Sequence, residues 1–228
     1  LMMADVRTER LDELKRLYGV SVASDNVTLV RQSDAILLAV KPQILGAVLD
    51  EIPPATPGKL LISVAAGVST SEIRRHLPPG TRMIRVMPNT PALVDQGMAA
   101  ISAGAHCDPG HLQEAEALLA ATGKVLEVPE KLQDAVTAIS GSGPAYIFYV
   151  VEAMIEAGVV LGMPRSTATE LVVQTLYGAA TMIKETGQHP TVLREQVTSP
   201  GGTTASNWPA VIVPSADGVL WSTETNKI

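Results

Sequence analysis

Residues 197–204 read VTSPGGTT. Ser199, Thr203 and Thr204 offer hydroxyls, while Gly201 and Gly202 free the backbone to turn so that its N–H groups converge. Hydroxyls, a doubled glycine and a helix start together make an anion site that needs no charged side chain. An ordinary Ser/Thr cap is the plainer alternative, but a cap does not require two glycines. A carboxylate and a phosphate fit such a loop equally well.

Three more loops follow apolar runs. DAILLAV leads into Lys41-Pro42, LLISV into Ala65-Ala66-Gly67, and MIRV into Met87-Pro88-Asn89-Thr90-Pro91. In open α/β sheets, ligands bind beyond the carboxyl ends of the strands, and small residues there let a flat ring lie against backbone. Singly, each loop has a plainer account: Ala and Gly make tight turns, a lysine after a strand is solvated, and an asparagine between prolines is a turn residue. SGSGPAY, residues 140–146, taken alone is a helix entry with small residues for close packing. Asp5 with Arg7 sits where a Rossmann fold reads the cofactor ribose. The acid favours a free hydroxyl and the arginine a phosphate, which leaves NADH against NADPH open. His76, His106, His111 and His189 stand at no metal-ligand spacing. The sequence has no G-x-S-x-G elbow and no P-loop.

The elements that must hold these loops follow from pattern. At 228 residues with 46% apolar and 18% charged, the chain can bury a real core, and 3% aromatic content makes that core aliphatic. A net charge of −6 gives no basic patch for nucleic acid. Cys107 is the only cysteine, which excludes an internal disulfide and a cysteine zinc cluster. No apolar run looks long enough to cross a bilayer, so the expected compartment is the cytoplasm, with no membrane partner. Up to Glu130, strand-like runs alternate with capped helices, the rhythm of an α/β parallel sheet. Beyond it the chain reads as helices, two of them apolar round most of their surface, around Val151 and Val172. Helices that apolar call for a partner chain.

Together the loops resemble one family, the pyrroline-5-carboxylate reductases. The matching segments are DAILLAVKPQ, ISVAAGVS, RVMPNTPALVDQG, DAVTAISGSGPAY, GMPR, GQHP and VTSPGGTT, in the family's order. The resemblance implies an α/β fold: a Rossmann-type parallel-sheet domain over residues 1–129, then a helical dimerisation and substrate domain over 130–204. It implies NADPH- or NADH-dependent reduction of 1-pyrroline-5-carboxylate to L-proline by a homodimer or larger homo-oligomer. By position, Asn26, Ala39, Val40, Lys41, Pro42, Ala65 and Ala66 match residues that line the dinucleotide. Ser199, Gly201, Gly202, Thr203 and Thr204 match the loop that holds the substrate carboxylate, and Thr204 matches a catalytic hydroxyl placed near the ring nitrogen.

The sequence departs from the family twice. Its first βα unit, with the G-x-G-x-x-G turn, is missing, so the sheet is expected to be incomplete, with unpaired backbone at its centre costing about 1–3 kcal/mol per buried group. After SPGGTT, residues 205–228 carry Pro209 and Pro214 and no helical period, so the helix that the loop prepares is not expected there. An inactive fragment that only dimerises through its helices is the alternative these departures raise. A hydroxyacid dehydrogenase would need a lysine on the interdomain helix, and SGSGPAYIFYVVEAMIEAG has none.

Overall fold

Aliphatic strands set the architecture. The computed structural model describes residues 1–202 and 204, and by backbone alone 214–215 and 218–219. It divides into two units, Leu1–Ala145 and Tyr146–Ile228. The change of pattern at Glu130 lies inside the first.

In the first unit, β1 (Met2–Met3) and β2 (Ser21–Val22) flank α1 (Thr8–Tyr18) and pair parallel as a separate two-stranded sheet. Gly19 ends α1 in the left-handed conformation, its N–H on the Lys15 carbonyl. Next come α2 (Asn26–Arg31), β3 (Ala35–Leu38), α3 (Pro42–Glu51), β4 (Leu60–Ser63), α4 (Thr70–Arg74) and β5 (Arg82–Met87). They are followed by β6 (Gly97–Ala103), α5 (Pro109–Leu119) and β7 (Gly123–Glu127). Strands β3 to β7 form one sheet in sequence order. Asp25 and Ser69 cap as their sequence positions suggest, accepting the Thr28 and Glu72 N–H; Asp108 also caps, accepting the His111 N–H, whereas α1 starts at Thr8 with Arg7 before it and no side-chain cap.

One pairing differs from the expected parallel sheet, and it reverses both β6 and β7 relative to β3–β5. β5 and β6 pair antiparallel, while the other pairings in this sheet are parallel. Between them lies only a 3₁₀ turn, Thr90–Val94, too short to carry the crossover that a parallel pair requires. The incomplete sheet is visible as two separate sheets, β1–β2 and β3–β7.

Every residue of β4 is buried, as its continuous apolar run demands. Leu61, Met83, Leu45, Leu49 and Ile73 form a core on one face, and Leu60, Ile62, Ile84, Ile101 and Ala115 form one on the other. β3 departs from the both-faces expectation. Leu37 is 55% exposed although its register partner Ile62 is buried, so the second core reaches β3 at Ala35 but not at Leu37. A buried polar group also sits in this unit. Arg85, 7% exposed, lies 3.6 Å from both Glu130 and Asp134, and Glu130 accepts from the Thr70 N–H and hydroxyl at 2.7 and 2.6 Å.

Helix α6 (Gln133–Val136) runs through a π-turn, Thr137–Gly141, into α7 (Gly143–Val160). Joined end to end, Glu130–Val160 is long and apolar enough to cross a membrane by length and composition, which corrects the sequence expectation; none of its apolar window is buried. Glu152 and Glu156 interrupt the apolar run in the sequence, which hides its full length.

In the second unit α7 continues and turns into α8 (Arg165–Thr186), followed by α9 (Pro190–Gln196). A Cβ added at Gly158 would lie 2.9 Å from the Ala168 Cβ, so α7 and α8 pack backbone-close there. Of the apolar residues on the two helices, only Ala168 and Val172 are buried; Phe148, Tyr149, Leu171 and Tyr177 are more than half exposed. The expectations for the tail, residues 205–228, lie outside the described residues, except for a short antiparallel pair, β8 (Pro214–Ser215) with β9 (Gly218–Val219).

Candidate active site

Because β3, β4 and β5 run parallel, their carboxyl ends share one edge, and the antiparallel β6 starts at that same edge. Residues 39–42 leave β3 beside 64–66 leaving β4, since Leu38 registers with Ser63. Ala39 and Ala66 are exposed and present only methyl groups, while Ala65 is 3% exposed and Val40 packs on the core beneath. Lys41 caps α3 in an extended conformation and is exposed, with Pro42 at the first helical position. Six of the seven expected cofactor residues therefore lie on this edge.

Asn26 does not join them. It opens α2 and donates from Nδ2 to Glu51 Oε2 at 2.8 Å. Glu51 ends α3, roughly 13 Å along that helix from Pro42 at about 1.5 Å per residue. At the end of β1, Arg7 donates to Asp5 from its backbone N–H at 2.8 Å and from its guanidinium at 3.3 and 3.4 Å. The guanidinium hydrogen bond, more than any other contact, holds the Asp5 carboxyl below the usual carboxylate range. A cleft of about 450 Å³ opens beside this pair, lined by Val6, Arg7, Thr8, Glu9, Arg10 and Glu13.

Asn89, a turn residue by its sequence context, sits at the N-cap position of the 3₁₀ turn after β5. Its Oδ1 accepts the Met98 N–H at 2.8 Å, and its Nδ2 donates to the Ser140 carbonyl at 3.2 Å. This places the SGSGP segment on the same edge. The signal in the sequence was the proline on either side of Asn89-Thr90; nothing in it named the partners.

The SPGGTT loop belongs to the second unit. Gly201 is left-handed at φ 69°, and the Gly202 N–H closes the turn on the Ser199 carbonyl at 3.0 Å. A Cβ at Gly202 would stand 2.3 Å from Ser199 Oγ, so Gly201 serves the left-handed φ and Gly202 leaves room for the Ser199 hydroxyl. Ser199 is exposed, and Thr204 is helical and half-buried. Thr203 lies outside the described residues.

Known proteins add a consistent comparison. Residues 130–209 match the family described as pyrroline-5-carboxylate reductase dimerisation, and residues 1–67 match one described as NADP oxidoreductase, coenzyme F420-dependent. A pyrroline-5-carboxylate reductase of Synechocystis sp. is 45% identical over 90% of this chain and 76% of its own. One of Methanosarcina acetivorans is 46% identical over 88% and 75%. Among solved structures, the Coxiella burnetii enzyme superposes with a TM-score of 0.85 at 38% identity, covering 90% of this chain and 77% of that one. The Plasmodium falciparum enzyme with NADP bound gives 0.83 at 33% identity, covering 92% and 78%. With loops, fold and relatives in agreement over most of its length, the chain belongs to the pyrroline-5-carboxylate reductase family.

Proposed function

We propose that the chain reduces 1-pyrroline-5-carboxylate to L-proline with NADPH or NADH, as a homodimer or larger homo-oligomer. The observation that carries this reading is the presence in one chain of a small-residue carboxyl edge at 39–42 and 64–66 and the tight SPGGTT turn. The fit to a dinucleotide rests on exposed Ala39 and Ala66, just past the ends of neighbouring strands, each presenting nothing larger than a methyl to a planar ring. Ala39, Val40, Lys41, Pro42, Ala65 and Ala66 would hold the nicotinamide half. Asn26, which gives one Nδ2 hydrogen to Glu51, would act through its other Nδ2 hydrogen or its carbonyl. Bound NADPH or NADH supplies a hydride to the imine carbon, while the ring nitrogen takes up a proton.

The chain's own part is binding and orientation, an effect of positioning that reaches ~7–11 kcal/mol in well-ordered cases. Ser199, with Gly201, Gly202 and Thr203 shaping the loop, would hold the substrate carboxylate. The Thr204 hydroxyl would orient the ring nitrogen. The apolar faces of α7 and α8 supply the surface for self-association. A single, half-buried cysteine suits a reducing compartment, and we place the activity in the cytoplasm, which cell fractionation tests.

The test is nucleotide oxidation by the purified chain with and without substrate. Turnover with either nucleotide supports the reading. Self-association with no nucleotide binding supports instead a chain that only dimerises. Thr204→Ala is expected to lower kcat more than it raises KM for the nucleotide, and an unchanged kcat would remove Thr204 from the mechanism.

A further inference from the structure

Both functional atoms of the Asn89 amide are engaged over long range. Met98, which donates to Oδ1, is 9 residues away, and Ser140, whose carbonyl accepts from Nδ2, is 51 residues away, with Ser140 Oγ also within 3.4 Å. A turn asparagine bonds its own backbone two residues on; this one ties three chain segments together. They are the end of β5, the start of β6 and the π-turn.

The π-turn is itself unusual backbone. The Ser142 N–H bonds the Thr137 carbonyl at 2.8 Å, five residues back, a geometry found mostly as single turns and often at functional sites. It sits hard against the strand. A Cβ at Gly141 would lie 2.4 Å from the terminal methyl of Met87, the last residue of β5. The glycine admits the contact and the Asn89 amide holds it. The result is a wall at the edge where residues 39–42 and 64–66 also collect.

We propose that Asn89 is a positioning residue for hydride transfer, fixing Ser140 and Gly141 against the end of β5 so that this wall is rigid. The role rests on the reductase reading given above. Asn89 needs one acceptor and one donor at this spacing. Asp supplies only the acceptor and sets a negative charge against the Ser140 carbonyl.

The experiment compares wild type with Asn89→Asp and Asn89→Ser, the latter in case the charge prevents folding. For each, kcat, nucleotide Kd, the isotope effect with nucleotide deuterated at the transferred position, and exchange of the Ser142 amide are measured. Misplacement of about 1 Å can cost on the order of 100-fold, so we expect kcat to fall at least tenfold, with nucleotide Kd within about threefold. The isotope effect on kcat should rise as hydride transfer becomes the slow step, and the Ser142 amide should exchange faster. A loss of folded protein alone would leave the isotope effect where it was. Unchanged kcat and isotope effect in both variants overturn the proposal, as does a fall in rate that merely follows the folded fraction. A wild-type chain without turnover overturns the reductase reading and the positioning role with it, an outcome distinct from active wild type with unaffected variants.

Discussion

Gly202 shows how little room the SPGGTT turn leaves. Its N–H is already committed to the Ser199 carbonyl, and an added methyl would meet Ser199 Oγ. Gly202→Ala must therefore swing the hydroxyl that we assign to the substrate carboxylate. We expect KM for pyrroline-5-carboxylate to rise on the order of tenfold, the equivalent of ~1.4 kcal/mol, with nucleotide Kd unchanged. Steady-state kinetics with each substrate varied in turn checks this; an unaltered KM would take Ser199 out of the site. The glycine pair was legible because its cause is local. Asn89 was not, since hydrogen bonds to Met98 and Ser140 leave no trace in the residues beside it.

Elements were legible where one strand or helix determines its own burial. The run LLIS gave a strand buried on both faces, and Asp25 and Ser69 gave helix starts. The direction of β6 and the exposure of Leu37 depend instead on which elements lie alongside, which periodicity does not carry. Two tests belong here. Ile84, fully buried at the centre of β5, should cost about 2–5 kcal/mol when cut to Ala, whereas Leu93→Ala, at a residue 89% exposed, should stay within about 0.5 kcal/mol. Denaturant unfolding measures both, and equal costs would misplace the core. The second test is acid. The Thr28 N–H, then the Ser24 and Thr28 hydroxyls, hold the Asp25 carboxyl below its ordinary range. A depressed carboxyl stabilises the fold above its unfolded pKa, and that contribution is lost as pH falls through the folded value, below about pH 4. Asp25→Asn keeps an acceptor oxygen but not the charge. Its stability should therefore drop less than that of wild type between pH 6 and pH 3 in parallel denaturation curves.

At the scale of the whole molecule, the question is what covers α7 and α8. Phe148 is 64% exposed, Tyr149 58%, Leu171 53% and Tyr177 68%, an amount of apolar surface that a monomer does not leave in water. Burying one such side chain fully is worth about 1.5–3 kcal/mol, so a few of them suffice to hold two chains together at micromolar concentration. A second copy is the occupant that residues 130–209 point to, since they match a dimerisation family. We expect the chain to sediment as a dimer or larger, with a Tm that rises with protein concentration as mass action requires. Phe148→Glu buries a charge in the contact and should shift the population toward monomer, and Tyr177→Glu should do so independently from α8. Sedimentation of both variants against wild type decides the matter. The rival occupant is a lipid bilayer, which the length and hydropathy of Glu130–Val160 would admit. Its signature is different: wild type would float with phosphatidylcholine vesicles, and Phe148→Glu would abolish flotation without altering the oligomer found in buffer. If both variants keep the wild-type oligomer, some other surface must hold the chains together, and the apolar faces of α7 and α8 lose the role given them here.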